Sequence, residues 1–586
     1  MILQALTEYY DRRAADPDSG IAPPGWEWKA LPFIIEIDGR GSFVQLVDTR
    51  SPDGKRVVAA RYLVPKAVVR TSGVKPNLLW DNLQYALGIE DGAGAASARV
   101  VRQHEAFVAA IEERFGPSPA DPGLEVLLQF VRDVPLGPVR ADPLWAEASA
   151  ANPFVSFRIA GETALICQSD AVQAALADSS VTGASAPGDV GTCLVTGELG
   201  PIARLHPPIK GVRGANTSGA TIVSFNLPAF ESYGREQGAN APVGEAAAFA
   251  YTTALNSLLS SGSRQRALVA DATVAFWGER GDASVLEVAL SALFSEPAKD
   301  DPHAGTEPVA ALYAAHRSGA IPNDEGGRFY VLGLAPNAAR LAVRFWHIGT
   351  VREVGERLVR HFDDLEIARG PSDPEHPTLF RILAGTAVQG KADAVSPLLG
   401  GEVVRAILAG GPYPAPLLEG AIRRSRAEQE IRYVRAATIK ACLNRLIRSS
   451  RLHTKELTVS LDPENPDPAY RLGRLFAVLE RAQEWASPGG LNATIRDRYY
   501  GAASTTPLAV FPRLLALKNH HVAKIDAPGR RVWVERTIGE IMDGIPAIPA
   551  HFALAAQGGF AIGYYHQRQS FFTPKAETVE TQEGTN

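Results

Sequence analysis

The amino-acid sequence predicts an α+β protein, with a mixed N-terminal part built on antiparallel sheets and a mainly helical C-terminal part ending in a helical bundle. Three observations carry this. Before about residue 350, short apolar runs are bounded by glycine, asparagine and aspartate, as strands and their turns are. From Val351 onward the apolar period lengthens to about 3.6 residues. Asp462-Pro463-Glu464-Asn465-Pro466-Asp467-Pro468 then sets three prolines close together, which no helix continues through.

Taken in order, Leu3 to Arg13 forms a helix that stops before the Asp16 to Gly20 turn. Phe33 to Ile37 and Phe43 to Val47 flank Asp38-Gly39-Arg40-Gly41-Ser42 and read as a β-hairpin. Gly92 to Ala96 reads as a loop. Further strands are Ala272 to Trp277, Phe329 to Leu334 and Leu341 to Ile348, the last two joined antiparallel through Pro336-Asn337. Val351, Val354, Leu358 and Phe362 then share one helical face, as do Ile439, Cys442, Leu443, Leu446 and Ile447, and Leu472, Leu475, Phe476 and Leu479. Thr573 to Asn586 is a polar, frayed tail.

A chain of 586 residues exceeds a single domain several-fold. The expected divisions are 1–350 (mixed), 351–460 (helical, with a basic tract) and 461–586 (helical bundle). Hydrophobic and charged fractions of 46% and 21% exclude a disordered, collagenous or rod-like chain. No apolar stretch approaches a membrane span and no signal segment follows Met1, so a cytoplasmic protein is expected. Cys167, Cys193 and Cys442 are too widely spaced for a disulfide framework or zinc site. The net charge of -5 does not by itself announce a nucleic-acid binder, and the distribution of charge matters more than its sum.

The familiar catalytic constellations are missing. There is no phosphate-cradling G-x-x-x-x-G-K-[ST], no H-E-x-x-H zinc helix, no G-x-S-x-G elbow and no His-Asp dipeptide. His520 and His521 are adjacent and point in different directions on a helix. His347 sits in an apolar strand, where a structural role is the plainer reading. No catalytic residue, metal or cofactor is expected.

Three segments carry cations beside polar tips. Arg70-Thr71-Ser72-Gly73-Val74-Lys75-Pro76-Asn77 precedes Trp80 and a helix, and reads either as a phosphate-binding loop or as a plain helix start with Trp80 in the core. Lys210-Gly211-Val212-Arg213-Gly214-Ala215-Asn216-Thr217-Ser218-Gly219, with Glu231 to Asn240 beyond it, combines glycines with Lys, Arg, Asn and Gln; it can approach nucleic acid closely or merely connect strands. A tract holding Arg423, Arg424, Arg426, Arg432, Arg435, Lys440, Arg445, Arg448, Arg451 and Lys455 reads as a positive stripe along a phosphate backbone, against a solvated helix face.

At these segments the chain resembles a known family. Met1-Ile2-Leu3-Gln4-Ala5-Leu6, Ser19 to Gly25, Arg70 to Asn82, Ser224-Phe225-Asn226 with Ala229-Phe230-Glu231-Ser232-Tyr233-Gly234, Ala248 to Asn256 and Gly327 to Asn337 are similar to the large subunit of the type I-C CRISPR-associated surveillance complex, Cascade. The resemblance spans nearly the whole chain in order. It implies a non-enzymatic subunit that recognises the protospacer-adjacent motif in duplex DNA, promotes R-loop formation and helps recruit a separate helicase–nuclease, while guide pairing supplies sequence specificity. The partners implied are CRISPR RNA, target double-stranded DNA and its displaced strand, the backbone and handle-binding Cascade subunits, and a small subunit made from the C-terminal part.

Within the matched segments, side-chain chemistry selects Lys210, Arg213, Asn216, Ser232, Tyr233, Arg235, Gln237 and Asn240 for motif readout and duplex opening. It selects Arg423, Arg424, Arg432, Arg435 and Arg445 for the DNA backbone, and Arg70, Lys75 and Asn77 for the RNA handle or a neighbouring subunit. Met542 is the one methionine after Met1, and starting there leaves a piece too short for a bundle. An internal start therefore falls on a Val or Leu codon such as Leu457, Val459 or Leu461. The alternatives are an RNA-processing or other nucleic-acid enzyme of the same system using His206 or His347, and a scaffold without DNA contact of its own.

Overall fold

The computed structural model describes residues 1–16, 19–53, 56–68, 70, 73–90, 96–177, 190–280, 284–295, 306–319, 327–391, 394–450, 455–488 and 490–572. Most of the expected Gly92 to Ala96 loop, part of the Asp16 to Gly20 turn and the tail from Thr573 lie outside them. Packing divides the chain into two compact units, one of residues 3–206 and 225–254, the other of residues 207–224 and 255–586.

The first unit contains helix α1 (Ile2–Ala14) and strands β1 (Trp26–Ala30), β2 (Phe33–Ile37), β3 (Phe43–Asp48), β4 (Arg50–Asp53), β5 (Arg56–Ala59), β6 (Arg61–Pro65) and β7 (Trp80–Asn82). It continues with α2 (Leu83–Leu87), α3 (Ala98–Phe115), α4 (Pro122–Arg132), α5 (Leu136–Ala141), α6 (Trp145–Ala151), β8 (Phe154–Ile159), α7 (Asp170–Ala177), β9 (Val190–Thr192), β10 (Leu199–Pro201) and most of α8 (Glu245–Leu258). The predicted β2–β3 hairpin forms. Every residue of β2 is buried, because β2 also pairs in parallel with β8 and is covered on both faces. The sheet order is β3-β2-β8-β7. Helices α3 and α4 lay Phe107 and Phe130 against Phe157 of β8, with ring centroids 6.2 and 6.1 Å apart. Asp121 caps α4 by accepting from the Leu124 N–H at 2.9 Å, with Pro122 pre-set for the first turn.

The second unit opens on an antiparallel sheet of β11 (Arg266–Val269), β12 (Ala272–Gly278), β13 (Arg328–Asn337) and β14 (Arg340–Thr350), in that order. Helices α9 (Ser284–Phe294) and α10 (Thr306–Ser318) fall between β12 and β13. Then follow α11 (Val351–Leu365), α12 (Leu379–Ala384), α13 (Pro397–Ala409), α14 (Ala415–Glu428), α15 (Tyr433–Ser450), α16 (Pro468–Trp485), α17 (Ile495–Ala503), α18 (Pro507–Ala523), α19 (Pro528–Asp543) and α20 (Leu554–Ser570). The change of period at Val351 is a strand running straight into a helix. Thr350 and Glu353 form a reciprocal capping box there, at 3.1 and 3.0 Å. The face predicted from Val351, Val354, Leu358 and Phe362 is the buried one.

The fold is α+β as predicted, but packing does not follow the expected divisions at 350 and 460. Val274, Phe276, Phe329, Val331 and Phe345 form one apolar sheet face, and it is α9, α11 and α13 that cover it, with α15 packed behind α11. The sheet therefore belongs with the helices that follow. The proline-rich segment is likewise internal to the second unit. Asp467 caps α16, accepting from the Ala469 N–H at 2.9 Å, and Pro468 starts the helix. The terminal helix α20 serves two cores: Ala561, Ile562 and Tyr565 join the sheet-backed core, Phe560 and Tyr564 the core of α16 to α19. Among the described residues no helix is long and apolar enough to cross a membrane.

His566 of α20 gives the unit an acid-sensitive joint. It is fully buried, and the Tyr470 hydroxyl, which accepts from the Asp462 N–H, is hydrogen-bonded to its Nδ1 at 2.9 Å. Burial, with Lys440 adding, pushes the imidazole down to about 4 from an ordinary 6.5. As pH falls from about 6.5 to 4 the unfolded chain takes up the proton and the folded chain does not, so stability is level above this window and falls within it. The expected loss is about 3 kcal/mol, read as a falling thermal midpoint whose slope flattens in His566→Gln. An unchanged slope in that variant removes His566 as the source.

Candidate nucleic-acid interface

Within the first unit, residues 225–244 build a projecting tip. Ser232-Tyr233-Gly234-Arg235 closes a tight turn in which the Arg235 N–H donates to the Ser232 carbonyl at 3.0 Å. Tyr233 and Gly234 both take positive φ, 56° and 68°, as a primed hairpin turn requires. A tyrosine in that region is strained by about 1 kcal/mol, so the surroundings must hold it. Asn240 does: its Oδ1 accepts from the Ser232 N–H at 2.9 Å, and its Nδ2 donates to the Arg235 and Gln237 carbonyls at 2.9 and 3.0 Å. Tyr233 is 99% exposed.

The base of the tip rests on bare backbone. The Gly238 N–H donates to the Arg204 carbonyl at 3.1 Å, and a Cβ on Gly238 would lie 2.1 Å from the Ala203 oxygen. Gly238→Ala is therefore expected to dislodge the tip, raising the rate of limited proteolysis within 225–244 severalfold; unchanged protection means that the Ala203 approach does not hold it. Two sequence expectations change here. Asn240 commits its amide to the turn, making it a positioning residue and not a base reader. Gln237 is half-buried, with its Oε1 lacking a hydrogen-bond partner. Ser232, Tyr233 and Arg235 are left presented to solvent.

The Lys210 to Gly219 loop belongs to the second unit. Ile209 and Ala220 close its neck through two backbone bonds of 2.8 and 2.9 Å. The Lys210 N–H donates to Asn256 Oδ1 at 2.7 Å, the Arg213 N–H to Thr273 Oγ1 at 2.9 Å, and Arg266 to the Gly211 carbonyl at 3.0 Å. The side chains of Lys210, Arg213 and Asn216 all point to solvent from this fixed backbone. The glycines, however, serve the protein itself. A Cβ on Gly211 would sit 2.5 Å from the Leu259 oxygen, and one on Gly219 2.8 Å from Pro208.

The basic tract is not one stripe. Gln429, at φ 53°, ends α14, and α15 starts a new direction as a central, largely buried helix. Arg445 is buried; it pairs with Asp364 at 2.6 Å, donates to the Ala406 and Gly411 carbonyls, and lies 4.1 Å from the Tyr413 ring centroid. Arg435 is buried too, bound to Glu428 at 2.7 Å and the Gly385 carbonyl at 2.9 Å. Neither reaches a DNA backbone in this fold. Glu428 lies within the tract itself, whereas Asp364 comes from α11, so nothing near Arg445 in the sequence marks its partner. Arg423 and Arg432 are exposed, in surface pairs with Glu419 at 3.7 Å and Glu430 at 2.8 Å, and Arg424 is half-buried. Such surface pairs are worth under about 1 kcal/mol, and a phosphate can displace them.

The Arg70 segment is chiefly structural. Arg70 pairs with the buried Asp81 carboxylate, donates to the Lys75 carbonyl at 2.7 Å and covers the Tyr85 ring at 4.5 Å. Burial holds the Asp81 carboxyl above its ordinary value despite these donors. Asn77 is buried, its Oδ1 accepting from the Val68 N–H at 3.0 Å, so it does not face RNA. Lys75 is exposed. Trp80 lies in the core and donates to the Pro65 carbonyl at 2.7 Å, the plainer of the two readings.

Residues 6–572 match the family model described as CRISPR-associated protein (Cas_Csd1). The chain belongs to this CRISPR-associated family. No curated protein matches it. Within this Csd1-family chain the two histidines considered for acid–base chemistry are both held inside. His206 is buried with Nδ1 2.6 Å from the Tyr251 hydroxyl, and burial lowers its basicity. Burial and then Arg357 do the same to the half-buried His347. Asn240 as a clamp and Arg266 beside the Gly211 loop were beyond sequence reasoning; an Asn a few residues after a Tyr-Gly turn was the available signal for the first, and nothing local marked the second.

Proposed function

We propose that this chain is the non-catalytic large subunit of a type I-C Cascade complex, recognising the protospacer-adjacent motif in duplex DNA, promoting R-loop formation and helping recruit a separate helicase–nuclease. The observation that carries the reading is Tyr233, locked by Asn240 on a turn tip with Ser232 and Arg235 beside it. An aromatic ring in that setting supports an unstacked base, while Arg235 meets phosphate or a base edge. Lys210, Arg213 and Asn216 contribute a second exposed set, and Arg423, Arg424 and Arg432 supply weaker, salt-sensitive contacts to the DNA backbone. Lys75 is the remaining candidate for the RNA handle or a neighbouring subunit.

The test is a gel shift of the reconstituted complex on guide-matched duplexes with and without candidate adjacent motifs. Binding that needs both the chain and the motif, without cleavage, supports the reading. Indifference to the chain points to a scaffold, and cleavage by the chain alone to an enzyme. Tyr233→Ala is expected to weaken motif-dependent binding by about 1–3 kcal/mol, some 5- to 150-fold, at unchanged thermal midpoint. A separately translated C-terminal piece of about 13–15 kDa, from a start near Leu457, Val459 or Leu461, is expected on expressing the native gene. Its absence removes the small-subunit part of the proposal.

A further inference from the structure

Two segments of the second unit pack against one another and share an unbalanced charge. Residues 207–224 carry Lys210 and Arg213, and residues 255–270 carry Arg264 and Arg266. Neither segment contains an aspartate or a glutamate, in a chain whose net charge is -5. The first carboxylate beyond them, Asp271, is engaged by Arg344 at 2.7 Å. Among the described residues none of the four cations pairs with a carboxylate.

Backbone contacts fix the two segments to each other. Asn256 ties down the first: its Oδ1 accepts from the Lys210 N–H at 2.7 Å and its Nδ2 donates to the Pro208 carbonyl at 3.2 Å. Gly211 runs against the Leu259 carbonyl, and Arg266 Nη2 donates to the Gly211 carbonyl at 3.0 Å. A carbonyl brings no counter-charge, so that bond orients the guanidinium without neutralising it. From this junction one chain continues through Arg213 to Asn216-Thr217-Ser218, the other through Ser260-Ser261-Gly262-Ser263 to Arg264. Asn216, Thr217, Ser218 and Ser261 are exposed, as are Lys210, Arg213 and Arg264. Cations, hydroxyls and amides on a fixed backbone are the donors that phosphate oxygens accept from. Neither segment has an aromatic ring on which an unpaired base could stack, so the chemistry fits a backbone whose bases are already paired.

We propose that these paired loops hold the phosphate backbone of duplex DNA irrespective of its sequence, with Arg264 and Arg266 acting beside Lys210 and Arg213. This rests on the reading of the chain as a DNA-binding subunit, and it moves Lys210 and Arg213 from base edges to phosphates. The test measures binding of the reconstituted complex, wild type or carrying Lys210→Gln/Arg264→Gln, to guide-matched duplexes with and without the adjacent motif over a range of salt. The thermal midpoint is expected to stay at the wild-type value, since both side chains are exposed and Lys210 is anchored by its main chain. Affinity is expected to fall alike on both duplexes, by about tenfold at low salt, and the slope of log affinity against log salt to flatten by about 2, one for each lost phosphate contact. The charge-keeping Lys210→Arg/Arg264→Lys is expected to retain the wild-type slope. An unchanged slope in the glutamine variant overturns the proposal, as does a loss confined to the motif-bearing duplex, which is base readout, or a loss traced to guide RNA missing from the purified complex. A wild-type complex that binds matched duplex equally with and without the motif would sink the motif-reading function and leave this site standing, whereas intact motif dependence with an unchanged slope sinks this site alone.

Discussion

Gly563→Ala is expected to unfold the C-terminal helical bundle at temperatures the wild-type chain tolerates. Helices α16 and α20 cross with their backbones in contact: a Cβ on Gly563 would lie 2.0 Å from the Tyr470 oxygen, and one on Gly473 2.0 Å from the Phe560 oxygen. Nothing flexible stands in the way, so the helices must separate, and Phe476, Phe560 and Tyr564 lose their packing together. The cost is about 3 kcal/mol or more, at the upper end of overpacking effects. Because α20 also places Ile562 and Tyr565 in the sheet-backed core, the damage spreads beyond the bundle. Gly539→Ala is the control. It lies within α19 with nothing within 4 Å of its Cβ position, and is expected to stabilise by about 0.5–1 kcal/mol. Thermal midpoints that move alike in the two variants would refute the crossing argument.

Asp364→Asn is expected to be comparably severe for an electrostatic reason. Asp364 of α11 is buried and binds both Arg445, at 2.6 Å, and Arg448, while its carbonyl accepts from Lys440 at 3.0 Å. Neutralising it leaves the Arg445 guanidinium in the interior without its counter-charge, a loss of about 3–5 kcal/mol. Arg445 would still donate to the Ala406 and Gly411 carbonyls, so replacing Arg445 as well leaves those acceptors unpaired and restores only part of the stability. Urea unfolding of the single and double variants measures the coupling. A single variant within about 1 kcal/mol of wild type would mean that the charge is dispensable.

The helical elements were legible because their signals are local. Val351 to Phe362 alternates at the helical period, Thr350 and Glu353 sit three apart as a capping box needs, and Asp467-Pro468 announces the start of α16. The parallel partner of β2 was not legible, since β8 follows it at Phe154 only after strands β3 to β7 and helices α2 to α6. The candidate site divides the same way. A Gly-rich, cationic composition marked the Tyr233 and Arg213 segments, but which glycines meet backbone, and that Asn240 faces inward while Tyr233 faces solvent, depends on Ala203, Leu259 and Pro208 from other parts of the chain.

The α+β class, the switch to helices at Val351, the segments that carry cations, and a resemblance that the family match over residues 6–572 places among CRISPR-associated proteins are all legible without coordinates. These follow from the order and spacing of residues, which act over one or two turns of chain. Which of those cations remain available depends on long-range packing. Arg435 and Arg445 are paired within the fold, Arg235 and Arg213 are presented to solvent, and the difference lies in where Glu428, Asp364 and the backbone carbonyls of Gly385, Ala406 and Gly411 come to rest. A buried charge is tolerated only beside its partner, and a partner such as Asp364, which folding brings from α11 to Arg445, leaves no spacing for the sequence to show.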